Sequence, residues 1–99
     1  MSNDAPICKT FPNGDKEWYL NGVRHREDGP AIERTNGMKM WYLNGELHRE
    51  DGPATTHVSG AMTYWFLNDE KTTALEVFKL ANDDQRNHML CFYPNEFSA

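Results

Sequence analysis

The sequence predicts a mainly β protein: an antiparallel meander of 23-residue hairpin repeats, followed by one C-terminal α-helix and a final strand. Three observations predict this fold class. A fourteen-residue segment occurs twice, a two-residue turn signal recurs inside it, and the spacing of apolar residues becomes helical near Thr72. We expect one domain over residues 1–99, with a flexible lead at 1–5, hairpin repeats at 6–71 and a helix–strand cap at 72–99.

The repeated segment occupies residues 18–31 and again 41–54, and only two of its fourteen positions differ. A fixed period of roughly 20–50 residues is typical of stacked supersecondary units. The shared positions to which we assign a structural role are Trp18, Asn21, Gly22, His25, Asp28, Gly29 and Pro30 in the first copy, and Trp41, Asn44, Gly45, His48, Asp51, Gly52 and Pro53 in the second. Asn, Gly, Asp and Pro are turn residues, and Trp is a packing residue.

The Asn-Gly pair within each copy predicts a tight β-hairpin. Both central residues of a type I′ turn need a positive φ, which Asn and Gly tolerate best. Trp18 then faces His25 across the hairpin, and Trp41 faces His48. We therefore expect each His to pack against the Trp of its own hairpin, and each neighbouring Arg to pair with a nearby acid.

A third copy begins at Gly60, reaches Trp65-Phe-Leu-Asn, and then departs from the pattern. Apolar residues follow at helical spacing over residues 72–82, and Thr73 with Glu76 is a capping box. The sequence therefore predicts a helix that covers the apolar end of the sheet, as the terminal unit of a repeat array does.

After that helix, residues 82–87 predict a polar loop, and residues 89–93 predict a last apolar strand. The apolar run predicts that Cys91 is a buried, inert thiol. Two cysteines are few for a secreted scaffold of this size, so we expect reduced thiols. A Cys8–Cys91 bond is the less favoured alternative.

The composition argues against two classes of partner. Ten Lys and Arg stand against fifteen Asp and Glu, which gives a net charge of −5. A nucleic-acid binder needs a basic face, and so does a protein that adheres to an anionic membrane. No apolar run reaches the roughly 18 residues of a membrane helix, and the first residues lack a secretory leader. We expect a cytoplasmic protein that binds neither nucleic acid nor membrane directly.

The run Trp-Tyr-x-Asn-Gly-x-x-His-Arg-x-Asp-Gly-Pro-Ala resembles the MORN-type repeats (membrane occupation and recognition nexus), over about residues 14–70. It is most similar to the variant found in small proteins of phages, bacteria and large DNA viruses. The resemblance implies a β-hairpin meander that serves as a binding or spacing scaffold. The lipid affinity proposed for such repeats is not expected here, because acids outnumber basic residues.

Two clusters of residues could carry chemistry, at 25–28 and 48–51, each reading His-Arg-Glu-Asp. A His beside a carboxylate suits acid–base catalysis. An active site is usually a single constellation, however, and a duplicated cluster favours a duplicated structural device. The residue types that could ligate a metal are His25, His48, His57, Cys8 and Cys91. They lack the close pairing of metal sites, so we expect no metal, no cofactor and no enzyme activity.

A meander with one short helix leaves part of its sheet uncovered, which favours association with a partner or a second copy. Seven residues are of types enriched at interface hot spots: Tyr19, Arg24, Arg26, Tyr42, Arg49, Tyr64 and Trp65. We interpret them as a candidate protein interface.

The favoured hypothesis is a non-catalytic protein-binding module. The resemblance to repeats of phage-encoded accessory proteins implies an inhibitor of a host defence protein, such as an anti-CRISPR, acting in the host cytoplasm. Its partner would be a nucleic-acid-binding protein with a basic channel, because acidic side chains can take the place of phosphates. The alternatives are a structural or assembly protein acting as a homo-oligomer or homodimer, and a small hydrolase using the His-Arg-Glu-Asp motif.

Overall fold

The computed structural model describes residues 5–60 and 63–97, and in this part of the chain it contains ten short strands in antiparallel sheets and two C-terminal helices. The strands are β1 (Ile7–Thr10), β2 (Lys16–Leu20), β3 (Val23–Arg24), β4 (Ile32–Glu33), β5 (Lys39–Met40), β6 (Tyr42–Leu43), β7 (Glu46–Leu47), β8 (Thr55–Thr56), β9 (Trp65–Leu67) and β10 (Glu70–Thr72). The helices are α1 (Ala74–Leu80) and α2 (Asp83–Phe92), and a 3-10 turn follows at Pro94–Glu96. The predicted mainly β class is confirmed. Of the expected flexible lead at 1–5, residues 1–4 lie outside the described residues.

The strands form one larger sheet and two separate pairs in the described residues. The larger sheet has the order β1-β2-β4-β5-β8, with β3 also paired to β2, and the pairs are β6–β7 and β9–β10. Tight turns join β2 to β3, β6 to β7 and β9 to β10. Their central residues have φ of 52° and 83° at Asn21-Gly22, 52° and 83° at Asn44-Gly45, and 49° and 70° at Asn68-Asp69. The left-handed turns predicted from Asn-Gly are therefore confirmed.

The apolar core lies at the C-terminal end of the molecule. A cluster of buried residues forms where α1 and α2 cover the β9–β10 hairpin: Trp65, Ala74, Val77 and Met89, with Leu67, Phe78, Ala81, Tyr93 and Phe97 packed against it. Earlier in the chain the buried apolar residues are small or few, and they include Ala31, Ile32 and Ala54. The first two hairpins therefore depend more on contacts other than a large apolar core.

Helix α1 begins where the capping box predicted it. Thr73 is its N-cap, and the side-chain oxygen of Thr73 accepts a hydrogen bond from the N–H of Glu76 at 3.2 Å. The prediction for residues 82–93 is wrong. These residues form a second helix, not a polar loop and a final strand.

A second capping box starts α2. The side chain of Asn82 accepts from the N–H of Gln85, and the side chain of Gln85 accepts from the N–H of Asn82, both at 2.8 Å. Two acidic residues in the first turn also favour the helix dipole. In the helix Met89 is buried and Cys91 is exposed, so the predicted burial of Cys91 is also wrong.

Candidate functional site: a groove beside the return loops

Each histidine of the duplicated motif connects its own hairpin to the next one. Nδ1 of His25 accepts a hydrogen bond from the backbone N–H of Asn44 at 2.9 Å, and Nδ1 of His48 accepts one from Asn68 at 2.9 Å. We call these two contacts the histidine links. A ring nitrogen that accepts a hydrogen bond carries no proton, so each imidazole is the neutral tautomer with its proton on Nε2.

The second ring nitrogen of each histidine faces a carboxylate. Nε2 of His25 lies 3.3 Å from Glu27, and Nε2 of His48 lies 2.9 Å from Glu50. Each imidazole thus accepts from the next hairpin on one side and donates to a carboxylate on the other. The same arrangement occurs twice because the motif occurs twice.

Backbone hydrogen bonds reinforce each histidine link. The N–H of Gly45 donates to the carbonyl of Arg24 at 2.8 Å, and the N–H of Arg26 donates to the carbonyl of Tyr42 at 3.1 Å. The equivalent bonds join Asp69 to Leu47 at 2.8 Å, and Arg49 to Phe66 at 3.2 Å. Successive hairpins are therefore held by polar contacts at their turns, with little apolar burial.

The two arginines of the motif cover the two tryptophans. The guanidinium of Arg26 lies 4.0 Å from the ring centre of Trp18, and that of Arg49 lies 4.0 Å from the ring centre of Trp41. The predicted facing of Trp18 with His25, and of Trp41 with His48, is confirmed, because the N–H of each His donates to the carbonyl of that Trp at 3.1 Å. A cation over an indole ring is worth about 0.5–2 kcal/mol, so the stacks contribute to stability.

Further contacts hold each guanidinium within its return loop (residues 26–30 and 49–53). Arg26 donates to Asp28 at 2.9 Å and to the carbonyl of Pro30 at 3.1 Å. Arg49 makes the matching bonds at 2.8 and 3.2 Å. The expected pairing of each Arg with a nearby acid is confirmed. The glycine of each loop leaves room for this arrangement, because a Cβ on Gly52 would lie 2.6 Å from the Arg49 guanidinium.

The arginines differ in their last partner. Nη1 of Arg26 also donates to Glu33 at 3.1 Å, whereas Nη1 of Arg49 donates to the hydroxyl of Tyr93 at 3.2 Å. Tyr93 belongs to the C-terminal segment, so the second return loop is bonded directly to the helical cap.

The two return loops and α2 border an open groove of about 460 Å³, which we call the acidic groove. Its lining residues are Arg26, Glu27, Asp28, Gly29, Trp41, Leu43, His48, Arg49, Glu50, Asp51, Gln85 and His88. Four carboxylates face two guanidinium groups in this lining. Asp28 and Asp51 pair with the two arginines, while Glu27 and Glu50 contact the imidazoles of His25 and His48 and pair with no Lys or Arg among the described residues. The groove therefore carries excess negative charge.

Glu50 is the more firmly held of these two carboxylates. Its Oε2 contacts Nε2 of His48 at 2.9 Å, and its Oε1 accepts from Nε2 of Gln85 on α2 at 3.1 Å. The hydrogen bond from His48 and that from Gln85 lower the pKa of Glu50 below its ordinary value of 4.5. Glu50 thus stays ionised at neutral pH, and it connects the second return loop to α2.

The motif histidines form hydrogen bonds within their own hairpins and to the next ones. In each motif both ring nitrogens are engaged, and His25 is buried. Within the described parts of the chain, no three His, Cys, Asp or Glu side chains are grouped in a way that could hold a metal ion.

Three of the seven predicted interface residues come together across the first two hairpins. Tyr19 pairs with Arg24 across the first hairpin, and the Arg24 guanidinium lies 5.7 Å from the ring centre of Tyr42. Beneath them lies buried Glu17, which sequence reasoning missed. The Tyr19 hydroxyl donates to Glu17, and this hydrogen bond raises the pKa of Tyr19. Two-residue alternation along the strand puts Glu17 on the same face as Tyr19 and Arg24, but nothing in the sequence indicates that a carboxylate there is buried.

The other four predicted interface residues lie elsewhere. Arg26 and Arg49 are committed to the tryptophans and return loops, as described above. Trp65 is 5% exposed and lies in the core, so it is not a surface residue. Tyr64 is 41% exposed, and the Lys71 ammonium lies 4.3 Å from its ring centre. The seven residues therefore do not form one surface.

Searches against protein-family models, curated proteins and solved structures find no match to this chain. Neither described helix is both long enough and apolar enough to cross a membrane.

Proposed function

We propose that this chain is a non-catalytic platform of stacked hairpin repeats that binds a partner protein through the acidic groove. The observation that carries the proposal is the pair Glu27 and Glu50, two carboxylates that line the groove and that pair with imidazoles but with no Lys or Arg among the described residues. Glu27 is 81% exposed at its side chain and Glu50 is 55% exposed. Ionised, accessible carboxylates on the walls of one groove suit a basic surface on the partner.

The repeat interpretation is supported by the duplicated contacts. The two motifs form the same histidine link, the same stack on tryptophan and the same return loop. This is the behaviour expected of the MORN-like repeats that the sequence resembles. The proposal includes a cytoplasmic location, which the free thiols of Cys8 and Cys91 support.

In its sharpest form the proposal is an inhibitor of a host defence protein, such as an anti-CRISPR, encoded by a phage. The acidic groove would then occupy a basic channel that otherwise holds nucleic acid. The net charge of −5 and the open groove support this form. Association through such a surface weakens as salt rises, because exposed charges are screened beyond about 8 Å at physiological ionic strength.

The test combines affinity capture with paired variants. The Glu27→Gln/Glu50→Gln variant removes both charges and keeps an oxygen that accepts from each histidine. The control variant, Glu46→Gln/Glu70→Gln, removes two exposed charges near the hairpin turns, outside the groove. We expect the captured partner to bind the groove variant at least about tenfold more weakly, and the control variant as the parent protein. Equal affinity for all three proteins, or capture that is unchanged by high salt, would overturn the proposal.

A second candidate function is self-assembly, which the exposed edge strand β1 favours. The backbone of Trp18 bonds to the β3 and β4 side of β2, through Ala31 and His25. Antiparallel pairing then turns the N–H and C=O groups of Cys8 and Thr10 to the outer edge of β1. Such an edge can pair with another chain, although the edge residue Lys9 opposes this. Sedimentation over a range of concentrations separates the candidates, because a constant monomer mass excludes self-assembly.

A further inference from the structure

A second cavity of about 230 Å³ adjoins the acidic groove. Its lining residues are His48, Glu50, Leu67, Asn68, Val77, Leu80 and Ala81. His48 and Glu50 therefore line both cavities, and the remaining side chains of the second are mainly aliphatic. We call this second cavity the aliphatic pocket.

The aliphatic pocket lies between the third hairpin and α1. Leu67 ends β9, and Val77 and Leu80 lie one turn apart on α1. Val77 is buried in the core, whereas Leu80 is 75% exposed at the end of the helix. The exposed side chain of Leu80 thus borders a cavity that Leu67 and Val77 also line. Burial of Leu80 against another aliphatic side chain would be favourable.

Glu50 stands at the junction of the two cavities. Its hydrogen bonds to His48 and Gln85 fix the carboxylate there, so its position does not depend on a partner. A bound peptide segment that runs from one cavity to the other would pass the carboxylate of Glu50. On one side of it lie the carboxylates of the return loops, and on the other side lie Leu67 and Leu80.

We propose that the acidic groove and the aliphatic pocket form one continuous site for a protein segment that carries a cationic side chain and, a few residues away, an aliphatic one. The cation lies between Glu27 and Glu50, and the aliphatic side chain packs against Leu67 and Leu80. This inference rests on the proposed function. It adds the chemistry of the bound segment and the subsite that each of its two side chains enters.

Charge complementarity selects the cationic part of the segment. Glu27 and Glu50 pair with no Lys or Arg in the described part of the chain, and an entering ammonium or guanidinium supplies such a partner. Shape and polarity select the aliphatic part, because four of the seven residues that line the small pocket are aliphatic. The two subsites lie on different elements, so a partner with only one of the two features leaves the other subsite empty.

The test uses synthetic peptides and the whole protein. The full peptides carry two arginines, a glycine spacer of one to four residues, and a leucine in an otherwise Gly-Ser chain. In the comparison peptides the leucine is replaced by serine, or the arginines are replaced by glutamine. Binding is followed by NMR titration of the amides of Asn68 and Gln85 and the methyl groups of Leu80. We expect the best full peptide to bind about tenfold more tightly than either comparison peptide.

Paired variants separate the two subsites. Leu80→Ser removes the exposed side chain of the aliphatic pocket, and Leu75→Ser is the matched control, because Leu75 is an exposed residue of α1 outside both cavities. We expect Leu80→Ser to reduce the affinity for the full peptide to that for the arginine-only peptide. Leu75→Ser should change neither affinity.

The outcomes distinguish this inference from the proposed function. Equal binding of the full and arginine-only peptides, unaffected by Leu80→Ser but weakened by Glu27→Gln/Glu50→Gln, overturns the aliphatic subsite and leaves the acidic groove. Binding of the leucine-only peptide as tightly as the full one shows a purely apolar site, and overturns both. Peptide binding that Glu27→Gln/Glu50→Gln does not weaken, or no binding of any peptide, also overturns both.

Discussion

The three tryptophans of the hairpins lie in two different environments. Trp18 and Trp41 are half-buried, and each is covered by the guanidinium of an arginine at 4.0 Å. Trp65 is buried, and its ring is contacted edge-on by Tyr93 at 5.9 Å and by Phe97 at 6.2 Å. The tryptophan at the matching position of each hairpin is thus covered by side chains of the segment that follows the hairpin. Where the segment is a return loop, the cover is polar, and where it is helical, the cover is apolar.

This difference extends to the forces that stabilise the two regions. The first two hairpins are joined by histidine links, backbone hydrogen bonds and arginine stacks. The C-terminal region is stabilised by burial of Val77, Met89 and the residues packed around them. Polar contacts of this kind contribute about 0.5–1.5 kcal/mol each, whereas a buried aliphatic side chain contributes about 1.5–3 kcal/mol. Substitutions in the two regions should therefore lower the free energy of unfolding by different amounts. Four predictions follow from this difference.

The largest effect is expected in the core of the cap. Met89→Ala should lower the free energy of unfolding by about 3 kcal/mol, because Met89 is fully buried and its truncation leaves a cavity. Urea denaturation followed by tryptophan fluorescence measures this loss. Leu90→Ala, at the neighbouring exposed position, is the control and should change stability by less than about 0.5 kcal/mol. Similar losses in both variants would show that the helical cap has no specific core.

A smaller effect is expected at the arginine stacks. Arg49→Lys should cost about 2 kcal/mol, because lysine cannot keep the planar stack on Trp41 and the fork of hydrogen bonds. Arg26→Lys should cost about 1 kcal/mol, because Arg26 is more exposed and does not contact the cap. Thermal unfolding compares the two variants. A larger loss for Arg26→Lys would contradict the assignment of Arg49 as the connection to the cap.

Loss of one histidine link should lower the free energy of unfolding by a smaller amount than loss of Met89. His25→Leu leaves the N–H of Asn44 without its acceptor, and should cost about 1–2 kcal/mol. His57→Leu is the matched control, because His57 bonds Ser59 within its own turn and joins no two hairpins. We expect a loss below about 0.5 kcal/mol for the control. If His25→Leu were as mild as His57→Leu in denaturant titrations, the histidine links would not stabilise the stack.

The smallest effect is expected at the Asp15 carboxylate, whose contribution to stability depends on pH. The hydrogen bond from the backbone of Thr35 is the main cause that lowers the pKa of Asp15 below its ordinary value of 3.8. Because the folded pKa is the lower one, this carboxylate contributes stability above pH 3.8, and the contribution is lost as the pH falls through the folded value. Asp15→Asn should therefore be slightly less stable than the parent at pH 7 and lose less stability between pH 5 and 2. Parallel stability–pH curves for the two proteins would exclude this role.

The sequence could predict the parts of the fold that depend on local chemistry. The Asn-Gly turns require positive φ at their two central residues, and the Thr73 cap requires only the first turn of its own helix. Both features are therefore predictable from neighbouring residues. The sequence does not predict the second helix, because its one buried residue, Met89, gives no apolar periodicity. The apolar run at the end of this helix favours a strand when only neighbouring residues are considered. The capping box of Asn82 and Gln85 was the available signal.

The candidate site could be predicted only in part. The duplicated His-Arg-Glu-Asp motif was identified from the sequence, but the partners of its side chains were not. His25 bonds Asn44, nineteen residues away, and Arg49 bonds Tyr93, forty-four residues away. Such contacts depend on how successive hairpins and the C-terminal helices are placed relative to one another. For the same reason Trp65 was assigned to an interface, although the C-terminal helices bury it.

The histidine links are the central contacts between successive hairpins, and NMR of ¹⁵N-labelled protein tests them most directly. Long-range imidazole spectra report which ring nitrogen carries the proton, and couplings across hydrogen bonds join donor and acceptor nitrogens. We expect His25 and His48 to show unprotonated Nδ1 at neutral pH, with couplings to the amides of Asn44 and Asn68 respectively. A proton on Nδ1 of either ring, or the absence of both couplings in the folded protein, would contradict the account.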